Sequence, residues 1–219
     1  MMPGPDQVIA CPSCQGLAKY GTLMSGNTFG ARVWTDGKQD APMLPQPPAM
    51  VRCHHCRAFY WLKDAKKVGL VEPWGEPAQD IPAAWQAAEE VQEPSESEYY
   101  EAIHAGLARS QEQERTIRIL AWWRSNDAFR DVGEAVVNAE RLNEAERISN
   151  LQALLLLLNG NDEGSLIMRA EALRELGMWQ EAEEVLSRIQ SEGYAEVVSQ
   201  IRALCRAQDG CIREFKFDG

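Results

Sequence analysis

Cys11 and Cys14, in the run Cys11-Pro12-Ser13-Cys14, and Cys53 and Cys56, in Cys53-His54-His55-Cys56, are two C-x2-C pairs with 38 residues between them. Two residues between cysteines let a tight turn aim both thiolates at one ion while backbone amides point at the sulfurs. Two such turns complete the tetrahedral four-sulfur shell that Zn2+ accepts, with Zn–S near ~2.3 Å. With every position taken by sulfur, no place remains for water or substrate, so the spacing predicts a structural Zn2+ site. A rubredoxin-like iron centre uses the same four-sulfur geometry and stays open as an alternative. Trp34, Tyr60 and Trp61 would suit either metal. Dithiol redox chemistry fits less well, since neither pair opens a helix in a βαβ setting.

Other chemistry-bearing residues are sparse. His54 and His55 lie inside the second cysteine turn and read as hydrogen-bonding or solvent-facing, because four sulfurs already suffice. Cys205 and Cys211 have no ligand-type neighbours in sequence and read as buried or free thiols. His104, with Glu101 and Arg109 nearby, reads as a helical surface histidine. Gly26-Asn27-Thr28-Phe29-Gly30 lacks the Gly-Lys-Ser/Thr of a phosphate loop and reads as turn chemistry. Arg52, Arg57, Lys63, Lys66 and Lys67 interleave with Phe59, Tyr60 and Trp61. That pattern suits either a nucleic-acid surface or the cover of a small core, and a unit this small must bury its aromatics somewhere. No Ser/His/Asp set, carboxylate pair or cofactor loop stands out, so a non-enzyme is expected.

The 219 residues leave room for two modest domains. Residues 1–71, rich in Gly, Pro, aromatics and cysteine, read as a β-rich zinc ribbon, with an extended run at 31–35 closed by the turn dipeptide Asp36-Gly37. Residues 72–94 read as an acidic, Pro-rich linker, in which Trp74 and Trp85 suggest partial packing. From residue 95 the pattern is helical. Ser95 and Glu98 form a capping box, and further helices are predicted near 112–124, 143–158, 165–176, 179–190 and 194–207. The five leucines at 154–158 are apolar around the whole helix and predict burial on all sides. Ribbon and helices are expected to fold independently.

Charge narrows the function. The net −11 divides into eight Lys/Arg against five Asp/Glu in residues 1–72 and 14 against 28 in residues 73–219. An acidic body repels phosphate backbones, which disfavours nucleic acid as a partner and favours a basic protein segment. No apolar run approaches the ~20 residues of a membrane span. The N-terminus has neither the basic start nor the apolar core of a signal peptide. A cytoplasmic, reducing setting is expected, in which paired cysteines hold metal.

The stretch at 165–186 resembles a tetratricopeptide repeat. Ala170 and Ala182 take the small contact positions, Leu166, Leu173 and Leu186 the large ones, and Trp179 is the aromatic that follows the turn at Gly177. The resemblance covers one repeat of about 34 residues, and it implies antiparallel helix pairs with the flanking helices as degenerate copies or caps. The four-cysteine segment resembles bacterial zinc-ribbon proteins, and the combination resembles a group of uncharacterised bacterial proteins. From these resemblances the expectation is a protein–protein interaction or adaptor protein with residues 95–219 as the binding surface. A ribbon that contacts nucleic acid through residues 1–72, or a rubredoxin-like electron carrier, are the alternatives.

Overall fold

The computed structural model describes residues 1–72, 81–130 and 143–217. Small β-sheets come first and helices follow, as the sequence predicts. The strands are β1 (Met2–Pro3), β2 (Asp6–Ala10), β3 (Leu17–Tyr20), β4 (Leu23–Ser25), β5 (Arg32–Val33), β6 (Gln39–Asp40), β7 (Met50–Arg52), β8 (Phe59–Trp61), β9 (Lys66–Val71) and β10 (Glu89–Glu90). The helices are α1 (Ala83–Gln86), α2 (Glu96–His104), α3 (Gln111–Asn126), α4 (Glu144–Leu157), α5 (Glu163–Glu175), α6 (Trp179–Leu186) and α7 (Ala195–Arg206). Among the described residues, no helix is long and apolar enough to cross a membrane.

The chain forms two units, Met1–Ala31 with Ala41–Glu98, and Arg32–Asp40 with Tyr99–Gly219. This differs in three places from a ribbon over 1–71, a linker over 72–94 and a helical domain over 95–219, the smallest being that residues 95–98 belong to the ribbon unit. Residues 32–40, from the middle of the expected ribbon, belong to the helical unit. Most of the expected linker belongs to the ribbon unit. Part of that linker, residues 73–80 with Trp74, lies outside the described residues.

In the ribbon unit the largest sheet has the order β10-β3-β2-β9, with β2 antiparallel to both neighbours and β10 parallel to β3. Val8, Ile9 and Ala10 of the internal strand β2 are all buried, as expected for a strand covered on both faces. The expected linker docks because Gly69 of β9 leaves room for a ring. A Cβ at Gly69 would lie 1.9 Å from Cζ3 of Trp85, so the indole of α1 occupies the space a side chain would take. β10 then continues the sheet, and the amide of Val91 bonds the carbonyl of Lys19.

The capping box at the start of α2 is present, at the end of the ribbon unit: Ser95 and Glu98 exchange side-chain and backbone hydrogen bonds at 3.0–3.3 Å. Ser110 caps α3 in the same way, accepting from the Gln113 amide. α5 ends at Gly177, whose φ of 76° lets its amide reach the carbonyl of Arg174 while the Met178 amide reaches that of Leu173. That turn returns the chain as α6. Leu166, Ala170, Leu173, Ala182, Val185 and Leu186 then share a core with Val198, Ile201 and Cys205 of α7. The leucine run is not buried all round: Leu154 and Leu158 are inside, but Leu156 is 78% exposed, because α4 packs along one side only.

A polar cluster lies inside this unit. β5 and β6 form a hairpin with Asp36 and Gly37 at its tip, Gly37 at φ 81°. The Asp36 carboxylate, fully buried, accepts from Asn126 Nδ2 at 3.0 Å and from both Arg130 terminal nitrogens at 2.6 and 3.2 Å. Arg147 reaches Glu175 at 3.2 Å, Arg174 reaches Glu171 at 2.5 Å, and Trp122 and Asn126 both donate to Glu175. Arg174 also bonds the carbonyls of Asp209 and Cys211. Three guanidinium groups thus meet three carboxylates in the interior, which is how buried charge is tolerated.

Burial pushes Glu175 up to about 7 from the ordinary 4.5. Glu171 and Asp36 add to the shift, and Arg174 and Arg147 oppose it. The folded state therefore holds a proton on Glu175 that the unfolded chain releases above 4.5, so this contribution to stability is lost as pH rises through about 7. The carboxyls of Asp127 and Asp209 are held below 3.8 despite burial, the first by Lys38 and Arg130, the second by the Cys211 amide and Arg213. Their contribution is lost only at lower pH. Glu175→Gln should accordingly gain melting temperature relative to the unaltered protein as pH rises from ~5.5 to ~7.5, effects common to both cancelling in the difference. A difference flat with pH would show that Glu175 is ionised throughout.

Candidate metal centre and helical groove

The two cysteine pairs occupy equivalent hairpin tips, one between β2 and β3, the other between β7 and β8. In the first, the Cys11 amide bonds the Gly16 carbonyl at 2.9 Å and the Gln15 amide returns to the Cys11 carbonyl at 2.9 Å. In the second, Cys53 and Ala58 pair at 2.9 Å, and the Arg57 amide returns to Cys53 at 3.0 Å. Each reversal needs a left-handed residue after the second cysteine, and Gln15 and Arg57 supply it at φ 62° and 63°. A non-glycine residue pays ~1 kcal/mol or more for that conformation, so the repeated geometry is imposed by what the turn must hold.

The turns bring all four Sγ atoms within 4.8 Å of one another. Cys11 to Cys56 is 3.8 Å and Cys14 to Cys53 is 3.7 Å. A tetrahedron with metal–sulfur bonds of ~2.3 Å has edges of ~3.8 Å, so the donor set fits one thiophilic ion. Amides support the sulfurs: Ser13 N–H points at Cys11 Sγ and Gly16 N–H at Cys14 Sγ, each at 3.4 Å. Cys11 and Cys53 are buried among Ile9, Ala18, Val51, Tyr60 and Ala65, while Cys14 and Cys56 are exposed.

Electrostatics also favours a cation. As free thiols the four could not all ionise together. Cys53 is lowered to about 6, where burial opposes ionisation but the amides of Cys56 and His55 and the thiols of Cys11 and Cys56 outweigh it. Cys14 is pushed up to about 12, since the Gly16 amide that favours its thiolate is overcome by the other three sulfurs and by desolvation. Burial likewise pushes Tyr60 up to about 12, with the sulfurs adding to it. A bound divalent ion relieves this mutual repulsion.

Both histidines of the second turn have structural roles. His54 Nε2 lies 3.1 Å from the Glu90 carbonyl and Nδ1 lies 3.1 Å from Glu89 Oε2, which fastens the turn to β10. The ring of His55 covers Gly16, where an added Cβ would sit 2.3 Å from His55 Cδ2 and 3.2 Å from Cys14 Sγ. The repeated C-x2-C-x-small pattern, ending in Gly16 and Ala58, was a sequence signal for this symmetry.

The basic aromatic set is engaged elsewhere. Tyr60 and Trp61 are buried, Arg52 stacks on Phe59 and pairs with Glu98 at 3.0 Å, Arg57 reaches Glu98 at 3.6 Å, and Lys63 lies over Trp61. Lys66 and Lys67 are exposed. Cys205 is buried in the helical core, and burial pushes its thiol up to about 11, which favours the neutral thiol; Cys211 is half-buried. His104 lines a cavity of about 290 Å³ with Arg118 and Glu146, and not with Glu101 or Arg109. Gly26–Gly30 is a turn in which the Phe29 amide bonds Asn27 Oδ1. A larger groove of about 470 Å³ runs beside α3, lined by Ile119, Leu120, Trp123, Leu158 and Met168, with Arg115 and Asp162 among its polar residues.

No family model matches the chain, and neither a curated protein nor a solved structure matches it.

Gly16→Ala should weaken metal retention several-fold against a competing chelator, because the His55 ring must leave its place over the turn. Gly16→Ala with His55→Ala should recover most of that loss. Equal weakening in both proteins would place the fault in the backbone of the turn and not in the ring.

Proposed function

We propose that this chain is a non-enzymatic interaction protein, in which a ribbon folded on one structural Zn2+ accompanies a tetratricopeptide-like helical unit that holds a basic protein segment. The supporting observation is a contrast within the helical unit. Its buried ionisable side chains, Asp36, Arg147, Glu171, Arg174 and Glu175, are engaged in internal pairs, Asp36 with Arg130, whereas its groove beside α3 is open and presents Ile119, Leu120, Trp123, Leu158 and Met168 alongside Arg115, Thr116, Asp162 and Ser165. Paired charges inside give rigidity, and an apolar groove accepts an anchor. The carboxylate and a hydroxyl at the groove, Asp162 and Ser165, bond each other in capping α5, which supports binding over acid–base or nucleophilic chemistry.

Support for the repeat-like reading comes from α5 and α6. Ala170 and Ala182 are fully buried, and Gly177 turns the chain between the helices. Support for zinc comes from the closed four-sulfur set, which leaves the ion no open position. A reducing compartment would keep these thiols available. Nucleic acid is disfavoured further by how charge is distributed over the units: the ribbon unit has six Lys/Arg against ten Asp/Glu, or −4, and the helical unit 16 against 23, or −7. The positive charge of residues 1–72 is thus offset within the ribbon unit itself, while both units attract a basic partner.

Protein grown without added metal should contain about one zinc per chain by elemental analysis. Iron as the dominant metal, with a red colour, would instead make the ribbon a rubredoxin-like carrier.

A peptide with several lysines around one apolar anchor should bind the full chain, and its association rate should fall about tenfold between ~0.05 and ~0.5 M salt. Met168→Glu should remove binding without changing zinc content. Binding that ignores both salt and Met168→Glu would defeat the interaction reading.

A further inference from the structure

The cysteine pairs bracket a chain segment that does not stay with them. Between Cys14 and Cys53 lie 38 residues, and the nine in the middle, Arg32–Asp40, are part of the helical unit. A metal ion at the cysteines therefore closes a ring of chain whose far side is built into another unit.

That far side is interior and not an appendage. Trp34, Thr35 and Asp36 are 2%, 1% and 0% exposed. The Asp36 carboxylate is held by Asn126 and Arg130, and its carbonyl accepts from Trp123 Nε1 at 2.9 Å. Lys38 reaches Asp127 at 2.6 Å. Trp34 bridges to Glu214, the Thr35 amide bonds the Arg213 carbonyl, and the Phe215 amide bonds the Val33 carbonyl at 2.8 Å. The hairpin thus ties the end of α3 to the C-terminal segment. Strands of two residues do not persist by themselves in water. The hairpin is either seated among these partners or unstructured, because a partly seated Asp36 would be a buried charge without its guanidinium.

We propose that the β5–β6 hairpin is a latch through which metal capture at the four cysteines and completion of the helical unit stabilise each other, making the ribbon a metal-responsive control on the helical surface. This rests on the metal-binding reading above. The physical basis is shared chain entropy. Seating the hairpin fixes the middle of the ring, so bringing its two ends together around an ion costs less. Holding the ends on an ion confines the hairpin, so seating it costs less. Coupling of this kind is reciprocal by thermodynamic necessity. Two of the four ligands, Cys14 and Cys56, are exposed, so a competing chelator in solution can reach the ion and release the latch. Trp123 both bonds the hairpin and lines the groove beside α3, which gives the latch a direct route to the proposed binding surface.

The test uses the full chain. Hydrogen exchange is measured at the amides of Thr35 and Phe215 with zinc bound and after withdrawal by a strong chelator. Both amides should exchange about tenfold faster, or more, without zinc. Zinc affinity is then measured by competition with a chromophoric chelator for Asp36→Ala and for the milder Trp123→Phe, which removes only the bond to the Asp36 carbonyl. Each should bind zinc more weakly, Asp36→Ala by about tenfold or more. If zinc leaves with no change in exchange at Thr35 and Phe215, the latch is refuted while the metal site stands, whether or not Asp36→Ala folds. A chain that takes up no zinc refutes the metal site and the latch together.

Discussion

A carboxylate without solvent must have its charge answered from within the protein, and Asp36 is that case here. It has no exposed surface, and Asn126 and Arg130 supply the donors. Removing one partner from such a pair typically costs about 3–5 kcal/mol, so the hairpin that carries Asp36 cannot drift from the helices that carry its partners. From this follow the placement of Arg32–Asp40 in the helical unit, the bridge of Trp34 to Glu214, and the path of the C-terminal segment through Arg213 and Phe215. Arg130 also stacks over Trp34, so its apolar face and its charge are used together.

The ribbon solves a different problem with a repeated device. Its core is small, and buried Cys11 and Cys53 are part of it, so two of the four candidate metal ligands double as packing residues. The second cysteine of each pair turns outward, and a left-handed residue follows it in both turns. The two turns therefore place one sulfur in the core and one at the surface each, and the four meet at tetrahedral spacing. The segment after β9 completes the unit: Trp85 fills the space over Gly69, and His54 holds the second turn to β10. A tract that is acidic and rich in proline in sequence thereby becomes a structural edge of the ribbon.

Under the proposed interaction reading, charge and packing together set what the molecule would offer a partner. The ionisable groups inside the helical unit pair with one another, so the field felt outside comes mainly from the surface acids. Both units carry net negative charge, which is the condition for long-range attraction of a basic segment. For such a proposed partner, specificity would come from short-range contacts, and the apolar side chains beside α3 are of the type that supplies them.

Much of this was legible in the residues. Two C-x2-C pairs announce a four-sulfur site because thiolate geometry tolerates few other spacings, and helix starts at Ser95 and turns at Gly177 follow from local hydrogen-bonding rules. The helical segments were readable from apolar periodicity for the same reason: each depends on neighbours three or four residues away. The role of Asp36 was not readable. In sequence, Asp36-Gly37 is a hairpin dipeptide, and it does form that turn. That its carboxylate is also the buried counter-charge of Arg130 depends on residues 90 and more positions away, and no local pattern encodes such a meeting. The same holds for Leu156, apolar yet exposed, and for the docking of Trp85 on Gly69. Local chemistry determined the elements and the four-cysteine cluster, while tertiary structure alone decided which unit each segment joined, because burial and charge pairing are settled only among neighbours in space.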